Sequence, residues 1–206
     1  MKPLLLLGGG GHCHAAIDVI EAEALYRIAG IVQPPVDGSG PVLGYPVVGS
    51  DDDLPALLAE TPRALITVGQ IKSPATRMRL FDCLKHHGAE IPVVRSPRAY
   101  CSPRATMGEG SILMHESLIN ANARIGVNCI VNSQALIEHD VEVGDHCHIS
   151  TGARINGGVR VGAGCFIGSG AVLKEGIEIG DGAIIGAGQV VLRDVEPGRT
   201  VRSHRD

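Results

Sequence analysis

Aliphatic residues recur at every sixth position through the second half of the chain, and this repeat constrains the fold more than any other feature. The thirteen positions are Ile119, Ile125, Val131, Ile137, Val143, Ile149, Ile155, Val161, Ile167, Leu173, Ile179, Ile185 and Val191. If roughly a third of positions carry aliphatic residues, an unbroken run of this length arises by chance about once in 10⁶ trials. The repeat therefore indicates a solenoid, in which each coil packs only on its neighbours.

A longer period of 18 residues lies inside the six-residue period. Glycine follows the aliphatic residue at Gly126, Gly144, Gly162 and Gly180. Small or β-branched residues form three more series at this spacing: Ala123, Val141, Val159, Ile177; Cys129, Cys147, Cys165, Ala183; Ala135, Ala153, Ala171. The pattern predicts a three-sided coil with one strand per side and about 4.8 Å between coils. We expect the glycines to supply positive φ angles at corners, and the three cysteines to form a column of buried, inert thiols.

Composition argues against several classes of function. The 206-residue chain has a net charge of -4 and no basic block, which argues against a nucleic-acid surface. Aromatic residues make up 2% of the chain, which leaves little for a base-stacking platform. The apolar N-terminal run is too short for a signal peptide, and no segment is long enough to span a bilayer. We therefore expect a cytoplasmic protein with reduced cysteines.

The first part of the chain has a different rhythm, in which strand and helix signals alternate. Strands are predicted over Pro3–Leu7, Ala29–Gln33, Ala64–Gly69 and Ile91–Val94. Helices are predicted from His12, from Asp51, and from Pro74 with Ser73 as N-cap. Alternation of this kind indicates a small parallel α/β sheet of the Rossmann-like type. We predict an α/β domain over residues 1–97 and a parallel β-helix over residues 98–206.

A glycine-rich turn, Gly8 to Gly11, follows the first predicted strand and precedes a helix. Such a turn lets backbone amides and a helix N-terminus approach a phosphate, although it is also compatible with a plain tight turn. The dinucleotide fingerprint G-x-G-x-x-G fails, because its last position falls on Cys13 or His14. The acid expected at the end of the second strand is replaced by Gln33. NAD binding is therefore not expected.

The six-residue repeat is similar to the left-handed parallel β-helix of hexapeptide acyltransferases. The segments "GGGGH", "INANARIG", "IVNSQALIEHDVEVGDHCHISTGARINGGVRVG" and "FIGSGAVL", together with the α/β domain, resemble the family of sialic acid O-acetyltransferases and N-acetyltransferases of nucleotide-linked 4-amino sugars. The resemblance covers nearly the whole chain. It implies transfer of acetyl from acetyl-CoA to a sugar amine or hydroxyl, and a homotrimer whose active sites lie between neighbouring β-helices. The residues do not decide between N- and O-acetylation.

The resemblance also implies roles for individual residues. His139 lies two positions after Ile137, so it should project from a corner or outer face of a coil and not into the narrow core. It matches the family's general base, an imidazole that takes the proton of the amine or hydroxyl as that group attacks the thioester. Asp140 occupies the family's acidic position, and Glu138 is the other residue that could orient the imidazole. The implied acceptor-binding residues are Gly10, Gly11, His12, Asn132 and His148. The implied coenzyme-binding residues are His148, Gly157, Gly186 and Ala187.

Other readings of these residues stay open. Asn132 could be only a turn residue, and His148 could be only a polar corner residue. A zinc hydratase would need His139, His146 and His148 to converge; His139 should lie most of a side away from the other two, so no metal is expected. A non-catalytic trimeric binding module is a further alternative.

Three segments depart from the family's pattern. Gln33 and Pro34 replace an aspartate pair that contacts the nucleotide in many relatives. The segment "GQIKSPATR" is longer than its counterpart, and we expect Gln70, Lys72 or Arg77 to meet an acceptor from it. The C-terminal "TVRSHRD" lacks the proline with which relatives usually end.

Overall fold

The computed structural model describes residues 1–34 and 40–202, so Pro35 and the last four residues of the C-terminal departure lie outside the described residues. The N-terminal part has the elements β1 Lys2–Leu7, α1 Gly11–Glu23, β2 Tyr26–Val32, β3 Val47–Gly49, α2 Leu54–Glu60, β4 Ala64–Ile66 and α3 Ala75–His86. All strands pair in parallel, in the order β3-β2-β1-β4. The order in which strands are added to the sheet therefore reverses between β1 and β4. Open α/β sheets bind their ligands at such a point.

The central strand β1 is buried on both faces, which explains why "LLLL" shows no alternation of apolar and polar residues. Leu4 and Leu6 pack with α1 and with the first coils of the β-helix. Leu5 and Leu7, which point the other way, pack with α2 and α3. The two halves of the molecule thus share one apolar core around α1.

Residues 94–202 form a left-handed parallel β-helix, as predicted, with three flat faces of two-residue strands. The seven-stranded face contains β5 Val94–Arg95, β8 Ile112–Leu113, β11 Ile130–Val131, β14 His148–Ile149, β17 Phe166–Ile167, β20 Ile184–Ile185 and β22 Thr200–Val201. The six-stranded face contains β6 Tyr100–Cys101, β9 Leu118–Ile119, β12 Leu136–Ile137, β15 Arg154–Ile155, β18 Val172–Leu173 and β21 Val190–Val191. The five-stranded face contains β7 Thr106–Met107, β10 Arg124–Ile125, β13 Glu142–Val143, β16 Arg160–Val161 and β19 Glu178–Ile179.

The six-residue repeat lines the interior of this β-helix. All thirteen aliphatic residues point inward, and none is more than 5% exposed. The predicted column of buried thiols is also confirmed, since Cys129, Cys147 and Cys165 are free and buried. Each thiol donates a hydrogen bond to the carbonyl of a glycine in the next coil, at Sγ···O distances of 3.2, 3.0 and 3.1 Å.

The glycines at positions 126, 144, 162 and 180 do not have the positive φ angles that we expected from the sequence. They are required because consecutive coils approach closely there: a Cβ atom on Gly144 would lie 2.7 Å from the backbone nitrogen of Ala163. Positive φ angles occur instead at a separate series of corner positions: Glu116, Asn122, Asn128, Gln134, Asp140, His146, Gly152, Gly158, Gly164, Gly170, Gly176, Gly182 and Gly188. The corner series includes Asp140, beside the predicted base.

The junction between the two halves differs in detail from the prediction. The fourth predicted strand does not join the α/β sheet, because its last residue begins β5, which pairs with β8 of the β-helix. The division after residue 97 therefore stays a prediction. The edge strand β3 was not predicted, and α3 begins one residue later than expected, with Pro74 as N-cap. Within the described residues, no helix has both the length and the apolar character that crossing a membrane requires.

Candidate active site

A cavity of about 730 Å³ lies where the α/β sheet meets the β-helix. Its walls come from the turn after β1, from the loop after β4 and from the β-helix: Gly11, His12, Ala15, Gly69, Gln70, Ile71, Asn132, Ser133, His148 and Thr151. Because β1 and β4 are the strands between which the sheet order reverses, the cavity occupies the expected ligand-binding position of the sheet. Four of the predicted acceptor-binding residues line it.

The glycine-rich turn leaves the N-terminus of α1 open towards this cavity. Gly10 is the N-cap and has no side chain to satisfy the first amides of the helix. A Cβ atom on Gly10 or Gly11 would meet nothing within 4 Å, so the space outside the turn is free. Gln33, which replaces the acid of the dinucleotide fold, lies against Gly9 in the same turn. The turn therefore offers unpaired amides and positive dipole potential to an anionic group.

His12 projects from the first turn of α1 into the wall of the cavity. Its Nε2 atom is buried and has no hydrogen-bond partner. Burial, with a smaller contribution from the nearby positive charge of Arg77, lowers the pKa of His12 from 6.5 to about 3. His12 is therefore neutral at physiological pH. A buried polar atom without a partner is costly unless a ligand satisfies it. The adjacent Cys13 is buried in the core and His14 is exposed, so the side chains of these three consecutive residues, His12 to His14, do not converge on one point.

His148 lies on the seven-stranded face, where it is 7% exposed, and not at a corner. Its Nδ1 donates a hydrogen bond to the carbonyl oxygen of Gln70, 2.6 Å away, because a carbonyl can only accept. Nε2 therefore carries the lone pair, which accepts a hydrogen bond from Asn132 Nδ2 at 3.1 Å. Burial lowers the pKa of His148 from 6.5 to about 4. The ring is held neutral and in one tautomer, 6.4 Å from the ring of His12.

The longer loop after β4 contributes less to the cavity than expected. Gln70 lines it, with its side-chain amide bound to the carbonyls of Gly164 and Cys165. Arg77, however, is 1% exposed and points between the two halves of the molecule. It donates hydrogen bonds to the carbonyl of Val68 at 2.8 Å and to both oxygens of Asn128 at 2.6 and 2.7 Å. Of the three residues that could meet an acceptor, Arg77 is therefore turned away from the cavity, whereas Gln70 lines it. Lys72 is exposed outside the cavity wall.

His139 lies at the corner between the six-stranded and five-stranded faces, and its side chain is 63% exposed. Its Nδ1 is 2.9 Å from Asp140 Oδ2. Hydrogen bonds from Asn122 and from His139 lower the pKa of Asp140, so this carboxylate is ionised and accepts the Nδ1 proton. Glu138 does not touch the ring; it accepts hydrogen bonds from Asn120 Nδ2 and from the backbone amide of His139. The geometry therefore favours Asp140 as the orienting group and leaves Nε2 with a free lone pair.

Gly157 lies directly beside this imidazole, one coil further along the same corner. A Cβ atom at Gly157 would be 2.7 Å from Cε1 and 2.8 Å from Nε2 of His139. The surface next to Nε2 is open only because position 157 has no side chain. Gly186 and Ala187 lie elsewhere, on the corner between the seven-stranded and six-stranded faces, in line with Asn132 and Ser133 of the cavity.

The predicted residues therefore form two groups at opposite edges of the six-stranded face. His139, Asp140 and Gly157 lie at one edge. Asn132, Gly186, Ala187 and the cavity lie at the other edge. Within one chain the predicted base does not reach the predicted acceptor site. This separation was not visible in the sequence, where His139 and His148 are only nine residues apart.

The third histidine of the segment, His146, packs against Asn128 and Phe81 of the same chain. It occupies a corner position with φ +58°, its Nδ1 is 3.0 Å from Asn128 Nδ2, and its ring stacks edge-on against Phe81. His139, His146 and His148 lie on different corners or faces of one chain. Across residues 1–34 and 40–202, no three acidic, histidine or cysteine side chains are grouped closely enough to hold a metal ion.

The two β-helix faces that border His139 have opposite chemical character. The outward residues of the six-stranded face are mostly apolar: Tyr100, Leu118, Leu136, Arg154, Val172 and Val190. The outward residues of the five-stranded face are polar or charged: Thr106, Arg124, Glu142, Arg160 and Glu178. Ion pairs join Arg124 to Glu142 and Arg160 to Glu178 along this second face. The five-stranded face is suited to contact with solvent, whereas the six-stranded face exposes an apolar strip that is interrupted by Arg154.

Comparison with known proteins agrees with this architecture. The PglD N-terminal domain family matches residues 3–84, and the family described as the hexapeptide repeat of succinyl-transferase matches residues 158–193. No curated protein sequence matches the chain significantly.

Several solved structures match over almost the whole chain. A histidine-to-alanine variant of GDP-perosamine N-acetyltransferase from Caulobacter crescentus, in complex with CoA and GDP-perosamine, is 33% identical, with a TM-score of 0.89 over 97% of this chain and 93% of that one. The acetyltransferase domain of PglB from Neisseria gonorrhoeae, in complex with acetyl coenzyme A, is 30% identical, with a TM-score of 0.87 over 97% and 95%. WeeI from Acinetobacter baumannii, 24% identical, shares the fold, with a TM-score of 0.84 over 98% and 97%.

These matches confirm the resemblance, the fold class and the enzyme class predicted from the sequence. The parallel sheet, the glycine turn, the three-sided β-helix and a sequence identity of 30–33% across 97% of the chain all point to one group of proteins. The chain belongs to the hexapeptide-repeat sugar acetyltransferase family with a PglD-type N-terminal domain, and it is an acetyl-CoA-dependent acyltransferase.

Proposed function

We propose that this enzyme transfers the acetyl group of acetyl-CoA to the amino group of a nucleotide-linked sugar, with His139 as the general base. The observation that carries the proposal is the geometry of His139: an imidazole held by an ionised carboxylate at Nδ1, with Nε2 free beside a residue without a side chain. The perosamine N-acetyltransferase and PglB structures, with CoA and GDP-perosamine or with acetyl coenzyme A, support the choice of donor and acceptor class.

The reaction needs only one proton acceptor at the start. The amine nitrogen attacks the thioester carbonyl carbon and forms the new C–N bond, while His139 Nε2 takes the proton that the amine loses. The C–S bond then breaks, and the thiolate of CoA leaves with the electron pair and takes the proton from the His139 imidazolium, which returns to its neutral form. Asp140 stabilises the imidazolium and keeps the Nδ1–H tautomer. Thiolate is a good leaving group, so no covalent enzyme intermediate is required.

The cavity between the two halves supplies the acceptor site in this proposal. The open N-terminus of α1, with Gly10 and Gly11, suits the diphosphate of a nucleotide sugar. The unpartnered Nε2 of His12 can hydrogen-bond to the same ligand. His148 and Asn132 then contact the sugar from the β-helix side. A volume of about 730 Å³ is in the range of small-ligand sites.

The arrangement of the six-stranded face supports a homotrimer with sites between copies. Its apolar strip has no partner among residues 1–34 and 40–202, and it is bordered by the acceptor cavity on one side and by His139 on the other. If three such faces surround a threefold axis, the His139 edge of one copy meets the cavity edge of the next. The same contact brings Gly157 towards Gly186 and Ala187 of a neighbouring copy, so that the coenzyme lies in the groove between two β-helices.

The test is release of CoA thiol from acetyl-CoA in the presence of a panel of acceptors: GDP- and UDP-linked 4-amino sugars, and sialic acid. We expect turnover with a nucleotide-linked amino sugar, and a loss of at least about 10²-fold in His139→Ala. His14→Ala, an exposed histidine on α1 outside the cavity wall, is the matched control. Full turnover by His139→Ala would refute the assignment of the base. An acetylated product that reacts with hydroxylamine would indicate an ester and refute N-acetylation.

A further inference from the structure

Asn122 extends the His139–Asp140 pair by one member. Asn122 Nδ2 donates a hydrogen bond to Asp140 Oδ1 at 2.6 Å, while Asp140 Oδ2 faces His139 Nδ1 at 2.9 Å. Asn122 precedes Asp140 by 18 residues, so the two side chains stack on the same corner in consecutive coils. The amide holds one carboxylate oxygen and thereby aims the other one at the imidazole.

We infer that Asn122 is a positioning residue for the base: it fixes the Asp140 carboxylate so that His139 is kept in the Nδ1–H tautomer, with Nε2 free to accept the proton. The inference rests on the proposed role of His139. Asp140 needs such support because its side chain is more than half exposed and is otherwise free to rotate into water. A carboxylate fixed at both oxygens loses little further freedom when the imidazolium forms.

A second pair of residues repeats the arrangement on the other side of His139. Asn120 Nδ2 donates to Glu138 Oε2 at 2.8 Å, and Glu138 accepts the backbone amide of His139. The motif "INANARIG" therefore places two asparagines one coil before the two acids that flank the base. Asn120 acts on the backbone of His139 through Glu138, whereas Asn122 acts on its ring through Asp140.

The alternative is that Asn122 only joins two coils. Hydrogen-bonded pairs occupy the same two coils at the other corners, where Gln134 Nε2 donates to Glu116 and Asn128 Nδ2 lies 3.0 Å from His146 Nδ1. These pairs do not contact His139, so they provide the control. Gln134 also has a positive φ, +60° against +61° for Asn122, and it is exposed outside the cavity wall. Replacing either residue with glycine keeps the backbone conformation and removes one bond between coils.

The experiment compares Asn122→Gly with Gln134→Gly in the same acetyl-CoA assay. We expect kcat to fall about tenfold in Asn122→Gly, with both KM values unchanged and a thermal unfolding midpoint equal to that of Gln134→Gly, which keeps the kcat of the wild type. In ¹⁵N NMR of the imidazole, we expect the Nδ1–H tautomer of His139 to lose population only in Asn122→Gly. Equal kcat values and equal tautomer populations in the two variants would overturn the inference.

The isosteric variant Asn122→Asp tests the direction of the hydrogen bond. It places a second carboxylate against Asp140, and two carboxylates at this distance share a proton, which raises the pKa of one of them. Its kcat relative to wild type should therefore rise as pH falls, since the shared proton restores a donor at position 122. A ratio that does not depend on pH would contradict this account. If His139→Ala keeps full turnover, the proposed function has failed; if His139→Ala is inactive but Asn122→Gly is not impaired, only the role of Asn122 has failed.

Discussion

The substitution Gly157→Ala separates the position of the catalytic ring from the stability of the fold. A Cβ atom there would lie 2.7 Å from His139 Cε1, whereas ordinary contacts begin at 3.4 Å. The ring must therefore retreat by about 0.7 Å or rotate about χ1, which it can do because it is exposed. A misplacement of about 1 Å can lower a rate about 10²-fold. We therefore expect kcat to fall between about 10- and 100-fold, equivalent to about 1.4–2.7 kcal/mol of activation free energy.

Stability should change little in the same variant. Gly157 is not among the residues with positive φ, so alanine fits its backbone, and the three atoms nearest to the added Cβ belong to a side chain that can move. We expect the free energy of unfolding to stay within about 0.5 kcal/mol of the wild type. The assay is thiol release for kcat, together with thermal unfolding of the same samples.

Gly176→Ala, one coil further along the same corner, is the matched control. Gly176 has φ +70°, and an added Cβ would meet nothing within 4 Å. The methyl group therefore costs about 1 kcal/mol of stability through its left-handed backbone, which lowers the unfolding midpoint by about 2–4 °C and leaves kcat unchanged. A wild-type kcat in Gly157→Ala would refute the reasoning, because the ring at that site would then not need its present position.

Three more predictions follow from particular contacts. The pKa values of His12 and His148 are about 3 and about 4 in the folded protein, below the ordinary value of 6.5. Below pH 6.5 the unfolded chain therefore binds more protons than the folded protein. The free energy of unfolding is highest above that pH and falls on acidification by about 1.4 kcal/mol per pH unit for each histidine. Between about pH 6.5 and 4.5, the free energy of unfolding measured with urea should fall less steeply with decreasing pH in His148→Gln than in the wild type. An equally steep fall in both proteins would count against the burial argument. Gly144→Ala, whose Cβ would strike the backbone of Ala163 at 2.7 Å, should lower stability by at least about 1–3 kcal/mol, measured by the unfolding midpoint. Leu136→Asp on the six-stranded face should dissociate the proposed trimer in sedimentation experiments, whereas Glu142→Lys on the five-stranded face should not; a trimer that survives Leu136→Asp would contradict the assigned interface.

Much of the β-helix could be predicted from the sequence, because the same pattern of inward and outward residues repeats in every coil. Each strand has one inward residue, each coil places its residues above those of the last, and the period of 18 follows from three sides. Cys129, Cys147 and Cys165 were predicted as buried thiols by this rule alone, and all three are buried. The 18-residue spacing of Asn122 and Asp140 was equally visible, although the role of the pair was not.

The predictions failed where a residue's environment comes from a distant segment. Arg77 appeared to be a polar residue of a long loop, but α3 packs against the β-helix and turns the guanidinium towards Asn128. For His148 the alternative of a polar corner residue was left open, but the residue lies on a face, where the loop after β4 covers it and the carbonyl of Gln70 fixes its tautomer. The glycines after the inward aliphatic residues were expected to have positive φ angles, but they are needed because the next coil passes close to them. That close approach depends on two coils and cannot be predicted from the sequence of one.

By itself, the sequence determined the fold class and the inward positions of the aliphatic repeat and of the small-residue series, since periodicity and side-chain volume are local properties. Resemblance added the family and the residues that would do the chemistry. Only the tertiary structure decided which of those residues meet. It placed His139 with Asp140, Asn122 and Gly157 at one edge of the six-stranded face, and the acceptor cavity at the other edge. The reason is that nine residues of a β-helix turn through one and a half of its three sides, so neighbours in sequence point in different directions, while residues 18 positions apart are in contact.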